Sequence, residues 1–197
     1  MARSRVPPSG IYTPLVTFYN KDESLDLPSI EKHALRISAG NTAGLVLQGS
    51  NGEAVHLDND ERTTIIRRVR SVLDANGFQN VTLIAGAGAP SKIATLILAR
   101  EAKEAGAEFV LVLPPSYWAA AMTRPVLVKY FRAVADESPL PVLVYNFPLV
   151  SNGLNIDSDT MIDLAQHPNI VGCKLTDGVS PTSTTPKQAI ELTLRCD

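Results

Sequence analysis

Six short apolar segments recur along the chain about 30 residues apart, and this spacing limits the possible folds more than any other feature. Each segment is rich in β-branched residues and lacks the polar alternation of a half-exposed strand. Such runs are typical of parallel strands buried on both faces. The predicted strands are Tyr12–Phe18, Gly44–Gln48, Val81–Ala85, Phe109–Leu113, Val142–Tyr145 and Ile170–Lys174.

Helical periodicity and helix-start signals fill the intervals between these strands. The clearest signal is a capping box of Asp58 and Glu61, which precedes an apolar stripe and a terminating Gly77. The sequence therefore predicts a helix in each interval. Their predicted starts are Pro28, Asp58, Ser91, Thr123 and either Asp157 or Ser158.

Alternating strands and helices predict an α/β protein with a parallel sheet. Periodicity alone does not separate a closed barrel from an open, doubly wound sheet. A nucleotide-binding open sheet would need a glycine fingerprint. Gly86-Ala87-Gly88 begins like one, but Ser91 stands at the position of the third glycine, and the first strand lacks the motif.

Composition excludes several classes of partner. A net charge of -2 provides no basic field for nucleic acid or an anionic membrane, and no apolar run approaches the length of a bilayer span. Cys173 and Cys196 have no metal-ligand spacing, and neither do the three histidines, His33, His56 and His167.

Polar side chains cluster at the carboxyl ends of four predicted strands, where parallel α/β folds build their sites. Lys174 closes the sixth strand. Burial would lower the pKa of its ammonium and free the amine to attack a carbonyl. A structural lysine, ion-paired or with its charged end reaching water, fits the same position equally well.

Three further strand ends carry candidates of the same kind. Ser50 and Asn51 lie between glycines after the second strand, where a turn can direct N–H groups and a hydroxyl at one carboxylate, or can be only a turn. Tyr145 ends the fifth strand and can pass protons or simply pack. Tyr117, beside Trp118 after the fourth strand, fits a core plug or an interface.

Taken together, the motifs GSNGE, YNFP and GCK, in this order and spacing, resemble the dihydrodipicolinate synthase and N-acetylneuraminate lyase family. The resemblance covers roughly residues 10–178. Within the family, the Ser-Asn pair and the segment QHPNIVG look most like the 4-hydroxy-2-oxoglutarate aldolase branch. Aldolases of 2-keto-3-deoxy sugar acids and condensing enzymes like dihydrodipicolinate synthase are the alternatives.

The resemblance implies a (β/α)8 TIM barrel, a small 2-oxo acid substrate derived from pyruvate, and no metal or organic cofactor. It implies that Lys174 forms a Schiff base, that Ser50 and Asn51 hold the substrate carboxylate, and that Tyr145 is the acid/base. Ser50 would also join a proton relay with Tyr117, which family members lend to a neighbouring subunit of a dimer or tetramer. Thr176 would be a further substrate contact.

Residues 1–10 are predicted as a disordered lead-in, 11–178 as a TIM barrel truncated to about six βα units, and 179–197 as a tail without the family pattern. One short helix is predicted for Lys187–Cys196. A truncated, non-catalytic family remnant is therefore the competing hypothesis to an active lyase. The predicted location is cytoplasmic, with a mitochondrial one as the alternative.

Overall fold

The protein, represented by a computed structural model, is described for residues 4–176. Strands and helices alternate through this range as the sequence predicts. The strands are β1 (Tyr12–Pro14), β2 (Gly44–Leu47), β3 (Thr82–Gly86), β4 (Phe109–Val112), β5 (Val142–Asn146) and β6 (Ile170–Leu175). The helices are α1 (Leu27–Ser38), α2 (Asn59–Ala75), α3 (Lys92–Ala105), α4 (Arg124–Glu137) and α5 (Ser158–Ala165). The tail helix predicted for Lys187–Cys196 lies outside the described residues.

Local capping explains where the helices begin. The Asp58 side chain accepts the Glu61 N–H at 2.8 Å, and the Glu61 side chain accepts the Asp58 N–H at 3.0 Å, which completes the predicted capping box of α2. Ser91 caps α3 through the Ala94 N–H. Asp157, rather than Ser158, caps α5, because its side chain accepts the Thr160 N–H.

The predicted first strand, Tyr12–Phe18, is too long, since β1 ends at Pro14. Leu15 still donates to the carbonyl of Val46, but the chain then leaves the sheet for a turn closed by the bridge between Tyr19 and Leu25. A run of apolar residues does not reveal where its backbone loses a hydrogen-bonding neighbour.

The strand order β1-β2-β3-β4-β5-β6 resolves the ambiguity that periodicity left. Strand β2 pairs in parallel with both β1 and β3, and β5 pairs in parallel with β6. A doubly wound sheet reverses its strand order at a switch point, whereas a barrel adds each new strand beside the last. The described chain follows the barrel pattern.

Contacts divide the chain into two compact units. The first comprises Pro7–Ala87 and Leu98–Val110, and the second comprises the rest of the described chain. In the first unit, β2 and β3 are buried on both faces and α2 packs its apolar stripe inward through Ile66, Val69 and Leu73.

The second unit likewise buries apolar side chains of its helices and strands. Phe131 of α4, Leu164 of α5 and Val144 of β5 are almost completely buried in it.

Ser4, inside the predicted lead-in, donates its backbone N–H to the carbonyl of Pro168 and its hydroxyl to Asn169. The domain boundaries predicted from the sequence stay a prediction. No described helix is both long and apolar enough to cross a membrane.

Candidate active site

Lys174 and Tyr145 are neighbours across the β5–β6 pair. Their Cα atoms are register partners, and side chains at matched positions of parallel strands lie on the same face of a sheet. The Lys174 Nζ atom lies 4.4 Å from the centroid of the Tyr145 ring, a separation at which the ring face attracts an ammonium. Tyr145 is buried, with 3% of its surface exposed, and Lys174 is half-buried.

Asn146 organises the backbone next to this pair. Its side-chain oxygen accepts the Ile156 N–H at 3.0 Å, and its amide nitrogen donates to Asn155 at 2.8 Å. Its carbonyl accepts the N–H of Thr176 at 2.9 Å. This buried residue therefore connects the end of β5 both to the loop that follows it and to the end of β6.

Cys173 precedes Lys174 on β6 and, by strand alternation, points to the opposite face. Burial raises the pKa of its thiol above the ordinary value of 9.0, which favours the neutral form. The thiol is therefore a packing group and a poor nucleophile at neutral pH. Thr176, the last described residue, is exposed.

Ser50 and Asn51 form a short 3-10 turn, Ser50–Gly52, in the first unit. The Thr17 hydroxyl donates to the carbonyl of Gly52 at 2.7 Å and holds the turn from one side. Ser50 is half-buried and Asn51 is exposed. The turn leaves both side chains available to a ligand, as an anion-binding turn requires.

Glu53, which follows this turn, has a left-handed backbone with φ of 54° and is exposed. Burial raises the pKa of the Tyr19 phenol, and the carboxylates of Glu53 and Glu61 raise it further. Glu53 thus acts electrostatically on Tyr19. It lies on the link toward α2.

Tyr117 and Trp118 lie at the surface. They are 76% and 71% exposed, and their rings contact edge to face with centroids 4.9 Å apart. A core plug, one of the two interpretations of this pair, is therefore wrong. Asn152, from the loop after β5, donates to the carbonyl of Ser116 at 2.8 Å and ties the two loops together.

A separate open groove of about 730 Å³ follows α4 in the second unit. Arg124, Arg132 and Asp163 line it, and none of the predicted site residues does. Arg124 and Asp163 already form an ion pair there. Within residues 4–176, no group of three or more His, Cys, Asp or Glu side chains is placed to hold a metal ion.

The structure brings the predicted Lys174 and Tyr145 together, and it places the predicted Ser50 and Asn51 on one turn. That this turn faces Lys174 stays a prediction. Sequence reasoning did not single out Gln48 and Asn146, two buried polar residues. Each is the polar residue at the end of an apolar strand run, but this signal in the sequence does not reveal the hydrogen-bond partners.

Consecutive parallel strands, with a lysine and a tyrosine at two neighbouring carboxyl ends, define a barrel-type α/β protein with a candidate Schiff-base site. The chain belongs to the Dihydrodipicolinate synthetase family, which it matches over residues 7–193. The resemblance inferred from the motifs GSNGE, YNFP and GCK is thereby confirmed.

Two fungal proteins illustrate the similarity. An Emericella nidulans protein named "Probable 4-hydroxy-2-oxoglutarate aldolase, mitochondrial" is 48% identical over 169 residues, which cover 86% of this chain and 55% of that protein. An Aspergillus niger "L-threo-3-deoxy-hexylosonate aldolase" is also 48% identical, with coverages of 85% and 50%. The chain thus spans about half the length of the curated relatives it matches.

Solved structures confirm the predicted fold class. A dihydrodipicolinate synthase family protein from Coccidioides immitis superposes with a TM-score of 0.79 at 38% identity, covering 94% of this chain and 60% of that one. An E. coli K12 prophage protein of the same family, solved in complex with pyruvate, gives 0.79 at 30% identity, with coverages of 93% and 59%. The described residues thus form five βα units and a sixth strand of the barrel fold.

Proposed function

We propose that this protein is a class I aldolase that cleaves or forms a carbon–carbon bond to pyruvate through a Schiff base on Lys174. The observation that carries the proposal is the position of the Lys174 amine 4.4 Å from the centroid of the Tyr145 ring, at adjacent strand ends. A nucleophilic amine and a phenol on one face of the sheet are the two groups that retro-aldol chemistry requires.

The Lys174 amine attacks the ketone carbon of the substrate, and loss of water from the resulting carbinolamine gives a protonated imine. Tyr145, acting as the acid/base, takes the proton from the hydroxyl two carbons further along. The bond between the hydroxyl-bearing carbon and the carbon next to the imine then breaks, which releases an aldehyde. The electron pair of the broken bond moves toward the imine and forms an enamine. A proton returns to the enamine carbon, and water hydrolyses the imine to release pyruvate and the free amine.

The 2-oxo acid also needs a partner for its carboxylate, and we assign that role to Ser50 and Asn51. Their turn presents a hydroxyl, an amide and backbone N–H groups. Ser50 also passes protons together with Tyr117. Thr176, next to β6, makes a further substrate contact.

The preferred substrate is 4-hydroxy-2-oxoglutarate, as in the name of the Emericella relative. A 2-keto-3-deoxy sugar acid is the second candidate, supported by the equally similar Aspergillus aldolase. A condensing reaction is supported less strongly, by 4-hydroxy-tetrahydrodipicolinate synthases from Xanthomonas that are 37% identical. All three reactions share the pyruvate end of the molecule and the imine on Lys174.

We further propose that a second copy of the chain covers the exposed rings of Tyr117 and Trp118. Two aromatic side chains that are each more than 70% exposed are typical of an interface. The protein then acts as a homo-oligomer on a small 2-oxo acid.

We propose a cytoplasmic location, with the mitochondrion as the alternative because the name of the Emericella relative includes the word mitochondrial.

Borohydride reduction in the presence of pyruvate tests the Schiff base directly. Peptide mapping should find a stable pyruvate-derived adduct on Lys174, and Lys174→Arg should abolish it. Lys129→Arg, at an exposed lysine of α4, is the matched control and should trap pyruvate as the unsubstituted chain does. A folded protein without an adduct would rule out the aldolase, and the competing proposal of a non-catalytic relative would then stand.

A further inference from the structure

Gln48 is a buried polar residue directly before the Ser50–Gly52 turn. It is 4% exposed, and its backbone is left-handed with φ of 56°. A residue with a side chain adopts that conformation at a cost, so the surrounding structure must hold it there. The contacts of Gln48 therefore show what this part of the chain requires.

Both the side chain and the backbone of Gln48 are held. Its side-chain amide donates a hydrogen bond of 2.6 Å to the carbonyl of Arg62, near the start of α2. Its own carbonyl oxygen packs so closely against Gly86 of β3 that a Cβ atom at Gly86 would overlap it. The glycine is therefore required for this approach.

The turn after Gln48 is held at its other end as well. The Gly52 N–H donates to the Gly49 carbonyl at 3.1 Å, and the Gly52 carbonyl accepts the Thr17 hydroxyl. Ser50 and Asn51 thus lie between two anchored points, Gln48 and Gly52.

We propose that Gln48 is a positioning residue, which fixes the turn of Ser50 and Asn51 in the conformation that binds the carboxylate of the 2-oxo acid. This inference rests on the proposed function. Groups that are oriented before a ligand arrives bind it more tightly, because no ordering cost remains to be met on binding. Without the bond to Arg62, the left-handed backbone of Gln48 relaxes and the turn loses its fixed direction.

The first test measures the turn without any ligand. Gln48→Met removes the amide and keeps the length of the side chain. We expect backbone hydrogen exchange at Gly52 and Glu53 to become about tenfold faster or more. The matched control is Thr95→Val, which removes the hydroxyl of another fully buried side chain, 2.8 Å from that of Tyr130 in the second unit, and should leave exchange at the turn unchanged. Unchanged exchange in Gln48→Met overturns the proposal.

The second test separates carboxylate positioning from a general role in the fold. Borohydride trapping on Lys174 is compared for pyruvate and for acetone, which has the ketone and no carboxylate. Gln48→Met should raise the half-saturating pyruvate concentration about tenfold and leave the yield with acetone unchanged. Equal losses with both ketones, or none with either, contradict the proposal.

The two proposals fail in different ways. An unsubstituted chain that traps no pyruvate overturns the proposed function, together with the carboxylate role of Gln48. Unchanged exchange at Gly52 and Glu53 overturns the role of Gln48 alone, whatever the trapping experiment shows.

Discussion

At the residue scale, the Lys174 amine and the Tyr145 phenol divide the proposed chemistry between them. Tyr145 has two separable parts, a ring that contacts the Lys174 amine and a hydroxyl that moves protons. Tyr145→Phe keeps the ring and removes only the hydroxyl, so it tests one part without the other.

We expect Tyr145→Phe to lower the rate of retro-aldol cleavage by about a hundredfold or more, the usual contribution of one acid/base group. Trapping of pyruvate on Lys174 should persist in this variant, because the amine and the ring are unchanged. The measurement is the release of pyruvate from 4-hydroxy-2-oxoglutarate and from 2-keto-3-deoxy sugar acids.

Tyr130→Phe is the matched control for this experiment. Tyr130 is a largely buried tyrosine of α4 whose hydroxyl contacts Thr95, so this variant also loses one buried phenolic hydroxyl. An equal loss of cleavage in both variants would show that Tyr145 contributes to stability rather than to proton transfer.

The residue scale is also where sequence reasoning was least complete. It selected Lys174, Tyr145, Ser50 and Asn51 because polar groups at strand ends are visible in a sequence. It did not select Gln48, because the partner of Gln48 is the backbone of Arg62, fourteen positions away along the chain. A contact with a distant backbone atom leaves no pattern in residue types.

At the scale of elements, strands β2 and β3 approach each other closely where Gln48 meets Gly86. Their register pairs Gly44 with Thr82 and continues to Leu47 and Ala85, so Gly86 lies just beyond the last pair. An added methyl group at Gly86 would overlap the Gln48 carbonyl, and the backbone would have to move.

Gly86→Ala should therefore lower the free energy of unfolding by about 1–3 kcal/mol, the usual cost of overpacking. Gly49→Ala is the comparison, because a Cβ atom there would meet only a Val46 methyl carbon at 3.8 Å, and the backbone is not left-handed. Urea denaturation measures both. If both variants lose the same small amount of unfolding free energy, β3 can move to accommodate the added methyl group, and the predicted overlap carries no cost.

The boundaries of helices and strands could be predicted where the sequence carries a local signal for them. The capping box of α2 and the apolar runs of β2 to β6 were recognisable from the sequence to within a residue or two. The end of β1 was not, since it depends on where Leu15 last meets β2.

At the scale of the whole molecule, buried and capping groups set the dependence of stability on pH. Burial raises the pKa of the Cys173 thiol above 9.0. Burial also raises the pKa of the Tyr130 phenol above 10.0, although its hydrogen bond with Thr95 acts in the opposite direction. Hydrogen bonds from Thr160 lower the pKa of Asp157 below 3.8, and those from Ser29 do the same for Asp26.

A group whose pKa is higher in the folded protein than in the unfolded chain stabilises the fold at pH values below its unfolded-state pKa, and this stabilisation is lost as the pH rises through its folded-state pKa. A group whose pKa is lower in the folded protein stabilises the fold at pH values above its unfolded-state pKa, and this stabilisation is lost as the pH falls through its folded-state pKa. These four groups should therefore make the free energy of unfolding fall below about pH 4 and above about pH 9.

Cys173→Ala tests the alkaline side of this profile. Urea midpoints measured across the pH range should show a shallower decline above about 9 in the variant, because one buried acid is gone. The acidic side should be the same in both proteins. Identical alkaline slopes would show that burial of the thiol does not contribute.

The sequence by itself determined the alternation of strands and helices, most of their boundaries and the polar residues at strand ends. These depend on periodicity, capping and position along one segment, all of which are local. Only the tertiary structure decided the consecutive strand order, the register that places Lys174 beside Tyr145, and the bond from Gln48 to α2. Each of these joins separate segments of the chain through at least one backbone group, and because every residue type carries the same backbone groups, the sequence does not show which ones will pair.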